Sequence, residues 1–394
     1  MIYLDHAATT PPLQISDVAA QPFYANPSSP HAAGIAAERT LTQARAQLAA
    51  ILSCDPRDVF FTSGGTEGNN MAVLGFALSY ISKTRHGGMM PSILVEPWAH
   101  PSVLAPAQHA AQMGYATVTV ASATEWAEKI TAAPTLACLS HINHETGDRT
   151  DIPALAQKLK SANPQTVIFT DGAQGFCKDP QAASVYNASD IYTISGHKIH
   201  ASGGCITIRK PVKLAPLFHG GGQEANLRAG TENVASAVSL AQAAQFLHAH
   251  CNEHHTHIAL LNTNLAAICH EIAATHINAA QVIPPGATLH EATLLETSPH
   301  ILNLSFLGTR GEVLVHMLSE RGIYVSMGAA CKSRNKRDTS SLALMGYAKD
   351  RAESAVRFSF AHMNTLEEVK ETKHALVQCV AQLRKVSGWR LVAK

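Results

Sequence analysis

The 394-residue sequence carries 30 Lys and Arg against 29 Asp and Glu, a formal net charge of +1, and is 46% hydrophobic but only 15% charged. That balance excludes a disordered, charge-rich chain and lacks the basic excess of a direct nucleic-acid binder. The length predicts two domains, or one large α/β domain with an appendage.

The first residues, Met1 to His6, have no basic region before an apolar core and meet Asp5 at once, so no secretory signal is expected. The longest apolar stretch, around residues 71–81, is shorter than a membrane span and holds Gly75 and Ser79, which predicts no membrane insertion. The 8 cysteines have neither CxxC pairs nor disulfide-framework spacing. A reducing cytoplasmic compartment is expected, with most of these thiols acting as small buried hydrophobes.

Along the chain, helical and strand patterns alternate, which predicts an α/β fold. A helix is expected over 36–52, then a short buried strand over 59–62. The run Ser63-Gly64-Gly65-Thr66-Glu67 follows and opens a helix over 68–80. A glycine turn at a helix N-terminus exposes backbone N–H groups to an anion such as a phosphate, although an ordinary turn with a threonine cap reads the same way. Strands are expected at 92–95, 116–120, 136–139, 166–170 and 191–194. The run Val167-Ile168-Phe169-Thr170-Asp171 ends in an acid. At the carboxyl end of a parallel strand that acid faces a ligand crevice, where a pyridine-type cofactor needs a carboxylate at its ring nitrogen. The run ending Ile194-Ser195-Gly196-His197-Lys198 puts a lysine at a second strand end, suited to a Schiff base. Lysine, ring-facing aspartate and phosphate cradle are the parts a pyridoxal phosphate (PLP) site requires.

A connector helix is expected over 235–255. A smaller α+β domain follows, with a strand at 301–306, a helix at 311–320, a strand at 324–326 and a final helix at 366–385. Between them, Ser326-Met327-Gly328-Ala329-Ala330-Cys331-Lys332-Ser333-Arg334 sets a thiol among small residues and basic neighbours, a setting that favours the thiolate. His250, His254 and His257 share a helical face at i, i+4, i+7. A polar connector explains them, and no metal site is assigned.

These segments together resemble the cysteine desulfurases, PLP enzymes of fold type I that mobilise sulfur for iron–sulfur clusters and thiolated tRNA. The likeness runs nearly end to end. It takes in residues 3–11 (Tyr-Leu-Asp-His-Ala-Ala-Thr-Thr-Pro), Asn26-Pro27-Ser28-Ser29, the 64–67 turn, His100, Asn143-His144-Glu145-Thr146-Gly147, and Asp171 with Gln174. The 195–198 and 220–224 runs, Arg228-Ala229-Gly230-Thr231-Glu232-Asn233, the Cys331 segment and Arg357-Phe358-Ser359 complete it.

The resemblance implies a large PLP domain over 15–250 with a central, mostly parallel seven-stranded sheet. It also implies a small α+β domain made of 1–14 and 251–394, carrying the Cys331 loop and Arg357. Lys198 would hold PLP covalently and move the substrate α-proton, and His100 would stack on the ring and transfer protons. Asp171 would pair with the ring nitrogen and Gln174 with the phenolic oxygen. Gly65, Thr66, Ser195 and His197 would cradle the phosphate, with Thr231 supplied by a second copy in a homodimer. Asn143, beside the cofactor, and Arg357 would orient the carboxylate of L-cysteine. Cys331 would take the sulfur as a persulfide and pass it to acceptor or scaffold proteins. A selenocysteine lyase, another enzyme of the fold, and a non-catalytic scaffold are the alternative readings. The sequence departs from the family after Lys198, where Ile199-His200-Ala201-Ser202-Gly203-Gly204 replaces the usual Gly-Pro-Lys-Gly, and at Lys332, where Ser or Thr is usual.

Overall fold

The computed structural model describes residues 1–16, 24–279, 294–327 and 341–389. The chain divides into two compact units. The larger takes Thr10–Ile142 and Thr150–Cys251; the smaller takes Met1–Thr9, Asn143–Arg149 and Asn252–Lys394.

The larger unit is built on a seven-stranded sheet. Its spatial order is Val59–Thr62, Gly204–Ile208, Ile191–Ser195, Val167–Asp171, Thr135–Ser140, Ser92–Val95 and Thr117–Val120. The last five strands run parallel, while Gly204–Ile208 is antiparallel to both its neighbours. Strands covered on both faces need continuous apolar runs rather than alternation. Residues 191–195, Ile-Tyr-Thr-Ile-Ser, are buried at every position.

Helices cover both faces. One core joins Leu41 and Leu48 of the helix Ala32–Ile51, and Leu52 just after it, to Ile168, Ile194, Leu240 and Leu247. The other joins Met71 and Phe76 of the helix Gly65–Ser79 to Ile93, Phe169 and Ile206. Enclosing each such side chain contributes about 1.5–3 kcal/mol relative to exposure.

The smaller unit has a three-stranded antiparallel sheet, Thr275–Ile277, Ile301–Phe306 and Ala355–Ser359, among its described residues. Ile2–Tyr3 pairs in parallel with Ile323–Tyr324. Leu4, Leu304, Phe306, Leu314, Phe358 and Leu376 form its core. The helix Leu366–Ser387 starts with a reciprocal capping box, Thr365 and Glu368, and ends on Gly388 in the left-handed region.

The connector read as one helix over 235–255 is two. Val234–Ala249 ends at His250 (φ −108°, ψ 12°), and Cys251–Ala266 begins a second. Among the described residues no three His, Cys, Asp or Glu side chains are grouped to hold a metal. His250 Nδ1 bonds to the Phe246 carbonyl (2.8 Å), His257 Nε2 to the Asn364 carbonyl (2.8 Å), and His254 stacks on His362. No helix among the described residues is long and apolar enough to cross a membrane.

Candidate active site

Strand register gathers three loops at one edge of the large sheet. Thr62 lies opposite Gly204, Gly204 opposite Ser195, and Thr193 opposite Asp171. The loops that leave Thr62, Asp171 and Ser195 therefore start side by side, at the carboxyl ends of the strands where α/β sheets place ligands.

The first loop is the glycine turn. Gly64 offers no side-chain cap to the helix Gly65–Ser79, so its first N–H groups face outward. A Cβ on Gly65 would stand 3.0 Å from the Ser195 Cβ and 3.3 Å from its Oγ. Absence of that Cβ seats the helix N-terminus against a buried hydroxyl. Glu67 accepts from the Ser63 N–H (2.7 Å) and pairs with Arg228 (2.8 Å). Burial pushes its carboxyl up, but the hydrogen bonds from Arg228 and Ser63 win and hold it below the usual range. Thr66 is exposed on the first turn.

The second loop starts at Asp171, which is buried. Its Oδ2 accepts from Asn69 Nδ2 (3.0 Å) and its Oδ1 from the Ala173 N–H (3.0 Å). Gly172 and Gly175 are required by close approach: a Cβ on either would stand 2.1 Å from the Tyr192 or His141 ring. Gln174 is buried and accepts from Lys178 Nζ (3.3 Å). His141, beside it, bonds to Tyr192 Oη (2.8 Å) and Asp179 (3.0 Å) in a buried triad that supports the turn.

The third loop holds Lys198 in the tight turn Gly196–Lys198. The non-family residues after it are well fixed. Thr10 donates from N and Oγ1 to the His197 carbonyl (2.8 and 2.9 Å) and accepts from the His200 N–H (2.7 Å). His200, at φ +63°, bonds through Nδ1 to the Pro11 carbonyl (2.7 Å), and Ser202 reaches Ser236 and Ser239. The histidine thus takes over a turn that would otherwise favour glycine. His197 is exposed on one side, yet partial burial, then Lys198, Lys178 and His100, hold it below the usual histidine range. Thr231 lines a cleft with Thr62, Ser63, Gly203 and Arg228.

His100 caps the helix Pro101–Gln112, its Nδ1 accepting from the Ser102 N–H (3.2 Å). Asn69 and Ser102, which the sequence reading did not single out, bridge His100 and Asp171.

Two predicted site residues belong to the smaller unit. Asn143 accepts from the N–H groups of Glu145 (2.8 Å) and Thr146 (3.1 Å) through Oδ1, which fixes its amide plane. Arg357 is buried; Nη1 donates to the His144 carbonyl (2.6 Å) and Nη2 to Asp5 (3.2 Å), while Nε has no partner among the described residues. A buried guanidinium N–H left unsatisfied fits a binding role for an anion such as a carboxylate. Cys331 and the basic run after it lie outside the described residues. The seven other cysteines are buried or half-buried. Burial pushes Cys54 and Cys251 up to about 11, and Cys138 and Cys205 higher still. None of these four is a thiolate at neutral pH.

The donor set suits PLP. An uncapped helix N-terminus, the Ser195 hydroxyl and His197 fit a phosphate, buried Asp171 fits a ring N–H, and Lys198 stands on the adjoining strand end.

Residues 2–372 match the family model for class-V aminotransferases. The chain is 28% identical to the cysteine desulfurase IscS of Buchnera aphidicola, over 98% of this chain and 94% of that one. It is 31% identical to a NifS/IcsS protein homolog of Lactobacillus delbrueckii, over 94% and 95%. It is 30% identical to the mitochondrial cysteine desulfurase of Drosophila melanogaster, over 99% and 83%. Among solved structures, a NifS-like protein superposes with a TM-score of 0.83 at 27% identity, covering 97% of this chain and 99% of that one.

Proposed function

The chain belongs to the class-V aminotransferase family and is a PLP-dependent cysteine desulfurase; on that premise we propose that it captures the sulfur of L-cysteine as a persulfide on Cys331, leaving L-alanine. The observation that carries this reading is the sheet edge, where a glycine-turn anion site, a buried aspartate and a strand-end lysine leave neighbouring strands.

Bound PLP supplies an electron sink for the pair released when the substrate α-carbon loses its proton. Asp171, buried and hydrogen-bonded as a carboxylate acceptor, holds the ring-nitrogen proton, and Gln174 meets the phenolic oxygen. Gly65, Thr66, Ser195 and His197 bind the phosphate, with Thr231 contributed by a second copy in a homodimer. Lys198 would anchor the cofactor and carry the α-proton, and His100 would face the ring and shuttle protons. Asn143 and Arg357 hold the substrate carboxylate. The Cys331 thiolate attacks the substrate sulfur; the bond from that sulfur to the β-carbon breaks with its electron pair going to carbon, a proton is taken up at the β-carbon, and Lys198 returns the α-proton to complete alanine. The basic run from Lys332 to Arg337 favours an acidic acceptor surface, on proteins of iron–sulfur cluster assembly or tRNA thiolation in the cytoplasm.

Purified protein given cysteine and a reductant is expected to release equal alanine and sulfide. Lys198→Ala and Cys331→Ala are each expected to abolish both. Activity that survives Cys331→Ala would refute the persulfide route, and absence of alanine from the unsubstituted protein would refute the enzyme.

A further inference from the structure

Four side chains form a continuous chain in the larger unit. Asn69 donates from Nδ2 to Asp171 Oδ2 (3.0 Å) and to Ser102 Oγ (2.8 Å), and Ser102 Oγ stands 2.7 Å from His100 Nδ1. The direction of every bond is set. A carboxylate only accepts, so Asn69 must turn its NH2 group toward Asp171. The Thr193 hydroxyl, buried and 2.6 Å away, donates to Asn69 Oδ1 and secures the same orientation. Ser102 Oγ accepts one Asn69 proton on a lone pair, which leaves its own proton free to point to His100 Nδ1. The Ser102 backbone N–H also aims at Nδ1 (3.2 Å), and a backbone N–H cannot become an acceptor.

We infer that Asn69 and Ser102 are positioning residues that fix His100 as its Nε2–H tautomer and tie it, through one hydrogen-bond chain, to the Asp171 carboxylate. The importance of this for turnover rests on the reading of His100 and Asp171 as the groups that face the cofactor ring. Two donors on Nδ1 leave no place for a second ring proton, and the N-terminal end of the helix Pro101–Gln112 opposes a cation there as well. His100 then presents one defined donor, Nε2–H, and stays neutral. Of the other titratable groups, Asp171 stands at the far end of the chain and His197 interacts with His100 from the adjoining turn, where Lys198 and Lys178 in turn act on His197. Asn69 and Asp171 are buried, while Ser102 and His100 are half-buried.

The test uses the full-length, PLP-loaded protein without cysteine. The rate of C2–H deuterium exchange of His100 is followed by mass spectrometry against pH, which gives the ring's own titration midpoint. Ser102→Ala removes the hydroxyl donor and Asn69→Ser frees Ser102 to turn round, so each is expected to raise the midpoint by about half a pH unit or more. Ser102→Thr keeps the hydroxyl and is expected to restore it. The pH profile of the visible cofactor band should move with the midpoint in the same variants. A merely structural pair would lower the melting temperature and leave both titrations in place. An unchanged or lowered His100 midpoint in Ser102→Ala overturns the inference. Alanine formation is measured separately on the unsubstituted protein; its absence would refute the desulfurase reading and leave the histidine result standing.

Discussion

Glu96 is a buried acid that the proposed chemistry does not use. It follows the strand Ser92–Val95, and burial pushes its carboxyl up to about 7, offset only in part by the Ala123 N–H (3.4 Å) and Trp98. The folded protein therefore holds a proton that the unfolded chain loses near 4.5. This contribution to stability is present on the acid side and is lost as pH rises through about 7. Glu96→Gln is expected to stabilise the protein at about pH 8 by up to roughly 3 kcal/mol and to flatten the fall in melting temperature between about pH 4.5 and 7. A constant difference between variant and parent across that range would exclude the effect. Arg357 allows a second residue-scale prediction. Nη1 and Nη2 each make one hydrogen bond and Nε has no partner among the described residues, so Arg357→Lys, which lacks the planar fork, is expected to raise KM for cysteine about tenfold or more with a smaller change in kcat. Equal KM values would remove Arg357 from carboxylate binding. The placement of Asp171 at the end of one apolar strand and of Lys198 in the turn just after another was legible in the sequence from those apolar runs. Asn69 and Ser102 were not, because residues 33 apart with no shared motif meet only once the sheet and two helices are assembled.

At the scale of elements, the strongest local demand falls on the turn Glu224–Asn226, where Glu224, Ala225 and Asn226 take φ of 46°, 54° and 65°. Left-handed backbone costs about 1–2 kcal/mol for each such non-glycine residue. The turn is held by the Glu224 carboxylate, which accepts two bonds from Arg45 (2.7 and 2.9 Å) and one from the Phe61 N–H (2.9 Å). Arg45 also donates to the Val59 carbonyl and lies over the Phe61 ring. One ion pair thus joins the helix Ala32–Ile51, an edge strand and a strained turn. Arg45→Ala is expected to cost about 3–5 kcal/mol in denaturant melts, because it leaves a buried charge unpaired. Adding Glu224→Gln should recover part of that loss, and strict additivity in the double variant would show the two groups uncoupled. Neither the turn nor its anchor can be read from periodicity, since Ala225-Asn226 carries no glycine to mark a left-handed turn. Two elements escaped for similar reasons. The strand Gly204–Ile208 opens on glycines that read as a loop, and the helix Pro101–Gln112 has Pro106 inside it. The break at His250 is hidden for the opposite reason: the run around it keeps helical spacing and has neither Gly nor Pro.

At the scale of the whole molecule, the residues assigned to the cofactor, apart from Asn143, fall in one compact unit, and those assigned to the substrate carboxylate fall in the other. Gly65, Thr66, His100, Asp171, Gln174, Ser195, His197, Lys198 and Thr231 belong to the larger, Asn143 and Arg357 to the smaller. Each set is held by its own unit: the Lys198 turn by Thr10, Pro11 and Ser236, and Arg357 by Asp5 and the His144 carbonyl. Loss of PLP should therefore be felt unevenly. A ligand that binds only the folded state stabilises it by about 4 kcal/mol at a thousandfold excess over Kd, and that increment reaches only the structure whose opening releases the ligand. Amide hydrogen exchange on PLP-loaded and PLP-stripped protein is expected to rise after stripping in the loops 63–67, 171–175 and 196–203. The three-stranded sheet of the smaller unit, Thr275–Ile277, Ile301–Phe306 and Ala355–Ser359, should keep its protection. Lys198→Ala, which removes the covalent anchor, should reproduce the stripped pattern even with excess PLP, provided its far-ultraviolet spectrum is native. An equal rise in both units would mean that they open as one cooperative body and that the cofactor secures the whole chain; no rise in the three loops would remove PLP from this sheet edge.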